Sequence, residues 1–185
     1  MWSIYQPVEV IFGEGAVKNI GEVLERLGCE RALIISDPFL VQNGTAERIQ
    51  GYGNGRIVGV SGAVEPEASV ADIDKNTALA CELQADCVIG LGGGSAMDCT
   101  KSVSICVKQN LQARDILFGA QSVDAVPIIM VPTTAGTGSE VTQGASIQDK
   151  ERGIRWRPDM WCKKGWVTGT NAGSELAGRR FYSFD

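Results

Sequence analysis

The segment Leu91-Gly-Gly-Gly-Ser-Ala-Met-Asp98 constrains this chain more than any other. It follows the apolar run Cys87-Val-Ile-Gly-Leu91, which reads as a buried parallel strand. It opens a stretch to about Lys108 in which apolar residues recur every three or four positions, as on a helix. A strand, a glycine turn and a helix start, in that order, form a pocket for an anion. Glycines let backbone approach a phosphate closely, and the N–H groups of the first helical turn point at it. Ser95 reads as the N-cap, with Asp98 three residues on as in a capping box. A plain tight turn between strand and helix would carry the same three glycines.

Upstream, Val8–Phe12 alternates as a strand and ends at Gly13 and Gly15. Ala16–Leu27 places Val17, Ile20, Val23, Leu24 and Leu27 on one helical face, and Gly28 closes it. Arg31–Asp37 is a second strand, followed by a helix over Phe39–Gln50 that Gly44 interrupts. Arg56–Val60 is a third strand, and Val70–Gln84 a further amphipathic helix. Pro127–Val131 is another strand, with one more expected within Val141–Ile147. Strands alternating with amphipathic helices predict an α/β fold, a mainly parallel sheet with helices on both faces. Ligands of such sheets bind beyond the carboxyl ends of the strands. Asp37, Gly92–Ser95 and Thr133–Ser139 all follow strands at that edge, so three small, polar loops are expected to share one crevice.

Each loop has its own chemistry. A carboxylate at Asp37 can accept hydrogen bonds from a ribose and repel a 2′-phosphate, although an Asp before Pro38 is also an ordinary turn residue. Thr133, Thr134, Thr137 and Ser139 supply hydroxyls to phosphate, ribose or amide groups, or else satisfy their own loop backbone.

Composition narrows the field. Across 185 residues the net charge is −5, which argues against nucleic-acid binding. No apolar run approaches the ~18 residues of a membrane span, and the first residues resemble no signal peptide. A cytoplasmic setting is expected. The six cysteines show no Cys-x-x-Cys spacing and read as reduced, mostly buried thiols. The chain contains no histidine, and so lacks the commonest general base and the commonest transition-metal ligand.

Gly92-Gly-Gly-Ser-Ala-Met-Asp98 with Lys101, and Val131-Pro-Thr-Thr-Ala-Gly-Thr-Gly-Ser-Glu-Val-Thr142, together resemble the iron-containing (group III) alcohol dehydrogenases. The opening Phe12-Gly-x-Gly15 and the stretch Val58–Pro66 are similar to the same family, over about residues 3 to 154. The resemblance implies a Rossmann-like domain of the dehydroquinate synthase-like superfamily. It implies interconversion of a small alcohol and its aldehyde by metal-assisted hydride transfer, with NAD in preference to NADP. It makes Asp37 the ribose-side carboxylate, and Gly92, Gly93, Gly94 and Ser95 the pyrophosphate cradle. Asp98 falls close to the cofactor. Thr133 and Thr134 fall on the adenine or ribose side, Thr137 and Ser139 towards the phosphates and nicotinamide. It also implies a homodimer formed through the N-terminal strand.

The departures matter too. The family holds iron, sometimes zinc, with one Asp and three His in a helical C-terminal domain, and neither those ligands nor that domain is recognisable here. Arg155 stands where the family usually has Lys. Residues 1–154 therefore read as the dinucleotide-binding domain and 155–185 as a divergent, loosely packed tail. That tail carries six Lys or Arg against three acids, and Trp156–Trp166 shows no clean strand or helix period. Two functions follow: a truncated dehydrogenase that keeps its cofactor part but has no metal site of its own, or a non-catalytic nucleotide-binding module that partners a full-length homologue.

Overall fold

A computed structural model describes residues 8–117, 124–142 and 144–156, and the backbone of 166–170. The elements are β1 (Glu9–Phe12), α1 (Ile20–Arg26), β2 (Ala32–Ser36), α2 (Pro38–Gln42), α3 (Thr45–Gly51), β3 (Ile57–Ser61), α4 (Val70–Glu82), β4 (Cys87–Gly92), α5 (Gly94–Gln109), α6 (Ala113–Leu117), β5 (Ile128–Pro132), β6 (Ile147–Asp149), β7 (Ile154–Trp156) and β8 (Trp166–Thr170). The α/β expectation holds. Six strands form one sheet in the order β1-β8-β5-β4-β2-β3, and every pairing in it is parallel. A separate antiparallel hairpin joins β6 to β7.

The central strands are apolar along their whole length because both faces are covered. Leu33, Ile35, Val88, Ile128 and Met130 pack into one core with residues of α4, α5 and α6. Their neighbours Ala32, Ile34, Ile89, Leu91, Ile129 and Val131 pack into another with residues of α1, α2 and α3. The period of two thus feeds two cores from one sheet.

Gly44 divides the helix expected over 39–50 as the sequence predicts. It adopts φ +78° and stands as the N-cap of α3, with α2 ending just before it. The capping box lies elsewhere than expected. Gly93, not Ser95, is the N-cap of α5, and no side chain caps that helix. The reciprocal box belongs to α4, between Ser69 and Asp72. The strand expected within Val141–Ile147 begins only at Ile147; Val141 ends a turn in which the Gly138 carbonyl accepts its N–H.

β8 is an addition. It inserts between β1 and β5 with parallel registers to both, within the part of the chain expected to be a loosely packed tail. The rest of the expected tail, residues 157–165 and 171–185, lies outside the described residues. No helix among the described residues is long and apolar enough to cross a membrane.

The topology sets the crevice. From β2 the chain moves outward to the edge strand β3; from β4 it moves the opposite way to β5. The carboxyl ends of β2 and β4 therefore flank the point where connections diverge, which is where open α/β sheets hold ligands.

Candidate functional site

Both strands end in the residues singled out above. β2 leads into Asp37, which N-caps α2 and accepts the Leu40 N–H at 3.0 Å through Oδ1. β4 leads into Gly92, whose carbonyl accepts the Thr133 N–H at 2.9 Å. One bond thus fixes the loop after β5 to the glycine turn. At φ +143° Gly92 occupies a region that side chains avoid. A Cβ there would stand 2.9 Å from the Ala96 Cβ and 3.4 Å from Asp37 Oδ2. On Gly93 a Cβ would stand 3.2 Å from Thr134 Oγ1, and on Gly94 one would touch Thr137 at 3.7 Å. The glycine turn is therefore a bare-backbone surface between Asp37 on one side and Thr134 and Thr137 on the other. Helices leave their first N–H groups without intrahelical partners. With no side-chain cap on α5, this end suits a phosphate.

The remaining candidates face inward. Ser95 Oγ accepts the Glu67 N–H at 3.1 Å, bracing the loop before α4 against α5. Glu67 in turn pairs with Arg155 on β7. Ser139 is buried, and donates its hydroxyl proton to Asp98 Oδ1. Asp98 Oδ2 accepts the Ser146 N–H at 2.8 Å, so both its oxygens are engaged within the protein.

The partner that binds this cluster is Lys101, only 2% exposed. Its Nζ lies 3.2 Å from Asp98 Oδ1, 2.9 Å from Ser139 Oγ, 3.4 Å from Thr142 Oγ1 and 2.8 Å from the Gly144 carbonyl. Burial lowers its pKa, and the Asp98 charge and hydrogen bond oppose that. A ring of acceptors is the surrounding an ammonium needs. Lys101 gives no direct sign of its burial in the sequence, since most of its partners come from the loop after β5. Two cavities flank this cluster and share Asp98 and Ser146. One, of about 200 Å³, is bordered by Gly94, Ser95, Glu67 and Arg155. The other, of about 340 Å³, is bordered by Thr137, Ser139 and Thr142.

A metal finds no comparable place. The chain has no histidine, and no group of three or more His, Cys, Asp or Glu among the described residues is arranged to hold an ion. These residues do not fit an iron site.

Comparison with known proteins agrees with the geometry. The family model for iron-containing alcohol dehydrogenases matches residues 7–159. The chain is 32% identical over 161 residues to an NAD-dependent methanol dehydrogenase of Bacillus methanolicus, covering 84% of this chain and 42% of that protein. It is 31% identical over 153 residues to a probable NADH-dependent butanol dehydrogenase of Bacillus subtilis, covering 81% and 39%. Among solved structures, a sulfoacetaldehyde reductase of Bifidobacterium kashiwanohense in complex with NAD+ superposes with a TM-score of 0.86 at 27% identity, over 92% of this chain and 46% of that one. The chain spans less than half the length of these relatives. The match over most of its residues, and the glycine cradle at the diverging strands, make this chain a member of the iron-containing alcohol dehydrogenase family.

Proposed function

We propose that residues 1–154 bind NAD as the cofactor part of an alcohol–aldehyde oxidoreductase, and that these 185 residues alone do not turn over alcohol. The observation that carries the first half is the side-chain-free surface at Gly92–Gly94, set against an uncapped helix end. In this reading the Gly92–Gly94 backbone and the first turn of α5 hold the pyrophosphate. Asp37 accepts from the adenosine ribose, and Thr133 and Thr134 line the adenine or ribose side. Thr137 lies towards the phosphates and nicotinamide. Ser95, Asp98 and Ser139 act by positioning: their polar atoms already tie the loops around the crevice together. Bound NAD would supply a hydride acceptor, and the fold would contribute its orientation. The second half rests on the absence of histidine, since iron favours imidazole in company with carboxylate.

The same lack of ligands favours a second reading, a nucleotide-binding module that pairs with a full-length homologue. β1 is an edge strand of the described sheet, with Val10 and Phe12 exposed, and would serve as the contact in a homodimer or such a pair. Small alcohols or aldehydes would be the substrates of the complete enzyme, and the cytoplasm its setting. Calorimetric titration with NADH, beside an alcohol-oxidation assay with added iron or zinc, tests the proposal. Saturable binding without turnover is expected; metal-dependent turnover by the purified chain would refute the second half.

Preference for NAD over NADP is tested at Asp37. Serine keeps the N-cap of α2 but removes the charge. Asp37→Ser is expected to shift the ratio of NADPH to NADH affinity towards NADPH by about tenfold, or roughly 1.4 kcal/mol. An unchanged ratio, measured by the same titration, would assign Asp37 to helix capping alone.

A further inference from the structure

Glu67 and Arg155 are distant in the chain, and the backbone brings both to the first turn of α5. Glu67 adopts φ +64°, a left-handed conformation that is costly for any residue but glycine. Its N–H donates to Ser95 Oγ at 3.1 Å, which fixes it to that turn. The carbonyl of the next residue, Ala68, accepts the Gln148 N–H of β6 at 2.9 Å, and Ser69 forms a parallel bridge with Gln148. Across the hairpin, Gln148 is in register with Arg155 of β7. A run of contacts thus leads from Ser95 through Glu67 and Gln148 to Arg155. There the Arg155 guanidinium donates to Glu67 Oε1. Both side chains border the cavity of about 200 Å³ that Gly94 and Ser95 also line. At roughly 30 Å³ per water molecule, that space admits a phosphate group.

Resting on the reading that the Gly92–Gly94 turn holds a pyrophosphate, we propose that Glu67 is an internal competitor of the dinucleotide. It holds Arg155 in the free chain, and the pyrophosphate draws the guanidinium away on binding. The pair is loosely held: the Arg155 side chain is 50% exposed and that of Glu67 56%, where an ion pair contributes little. The competing partner is stronger in kind. A pyrophosphate carries more charge than one carboxylate, and its oxygens match the fork of a guanidinium. Glu67 also has a definite task before ligand arrives. Arg155 and the uncapped end of α5 are two positive features around one cavity, and the Glu67 carboxylate offsets them. Asp98 borders the same cavity, but its oxygens are engaged by Lys101, Ser139 and the Ser146 N–H. Binding therefore exchanges one partner of Arg155 for another, and returns the Glu67 carboxylate to water.

The test is calorimetric titration of the full chain with NADH, in the wild type, Glu67→Gln, Arg155→Met and the double variant. Glu67→Gln is expected to tighten binding about threefold, because the guanidinium no longer has to be released. Glu67→Gly also deletes the carboxylate, suits φ +64°, and is expected to tighten binding too. Arg155→Met is expected to weaken binding about tenfold. In the Arg155→Met background the gain from Glu67→Gln should shrink, since no guanidinium is left to release. A gain as large there as in the wild type would mean that Glu67 only repels the ligand, and would overturn the proposal. So would wild-type binding that Glu67→Gln leaves unchanged or weakens, and either result leaves the glycine turn as the dinucleotide site. A folded wild-type chain that does not bind NADH at all would overturn both.

Discussion

Replacing Asp98 by alanine is expected to lower folding stability by about 3–5 kcal/mol, because it removes the hydrogen-bonded counter-charge of the buried Lys101 ammonium. The Asp98 side chain is 15% exposed and that of Lys101 only 2%, so little water is available to replace the carboxylate. The same carboxylate also accepts from Ser139 and from the Ser146 N–H, and those donors are left unpaired. Asp98→Ala/Lys101→Met removes both charges and is expected to recover much of the loss. Urea denaturation of the single and double variants checks this. Equal losses in the two would mean that the carboxylate acts by packing and not by charge.

The pH dependence has a definite sign. Burial holds the Lys101 pKa below the ordinary 10.5, so the unfolded chain binds this proton more tightly than the folded one. Between the folded value and 10.5 the unfolded state carries more protons, and stability at this site rises with pH. Asp98→Ala lowers the folded value further. Its deficit should be greatest at neutral pH and narrow as pH rises to the folded wild-type value, below 10.5.

Gly92→Val is expected to abolish dinucleotide binding and to cost about 1–3 kcal/mol of stability. The backbone cost comes from φ +143°, which a β-branched residue does not adopt without strain. The loss of binding comes from the side chain itself. Its Cβ would press on Ala96 and approach Asp37 Oδ2, filling the bare backbone surface proposed to hold the ligand. Gly51→Ala is the control, since a Cβ there meets nothing within 4 Å. It should leave NADH affinity unchanged. Equal affinity in the Gly92→Val variant, with the fold intact by circular dichroism, would mean that the ligand does not approach this backbone.

Much of this arrangement is legible in the residues, for definite reasons. Strands β2, β4 and β5 are buried on both faces, so their apolar runs are continuous and stand out. Gly44 marks the division of α2 from α3 because the chain there needs a left-handed residue. The helix cap is harder to read. Ser95-Ala-Met-Asp98 and Ser69-Val-Ala-Asp72 share one pattern, yet only the second forms a box. In the first, Gly94 has already entered the helix, so Ser95 lies inside the first turn and turns its hydroxyl to the Glu67 N–H. β8 is illegible locally because its place depends on β1 and β5, which are distant in the chain. Lys101 looks like an ordinary surface lysine until the loop after β5 folds over it.

The glycine turn after β4 is proposed to hold a dinucleotide without help from a metal site. Isothermal titration of the folded chain with NADH tests it most directly. Saturable binding of one NADH per chain is expected, lost in Gly92→Val and kept in Gly51→Ala. A folded chain that shows no saturable uptake of NADH would contradict it.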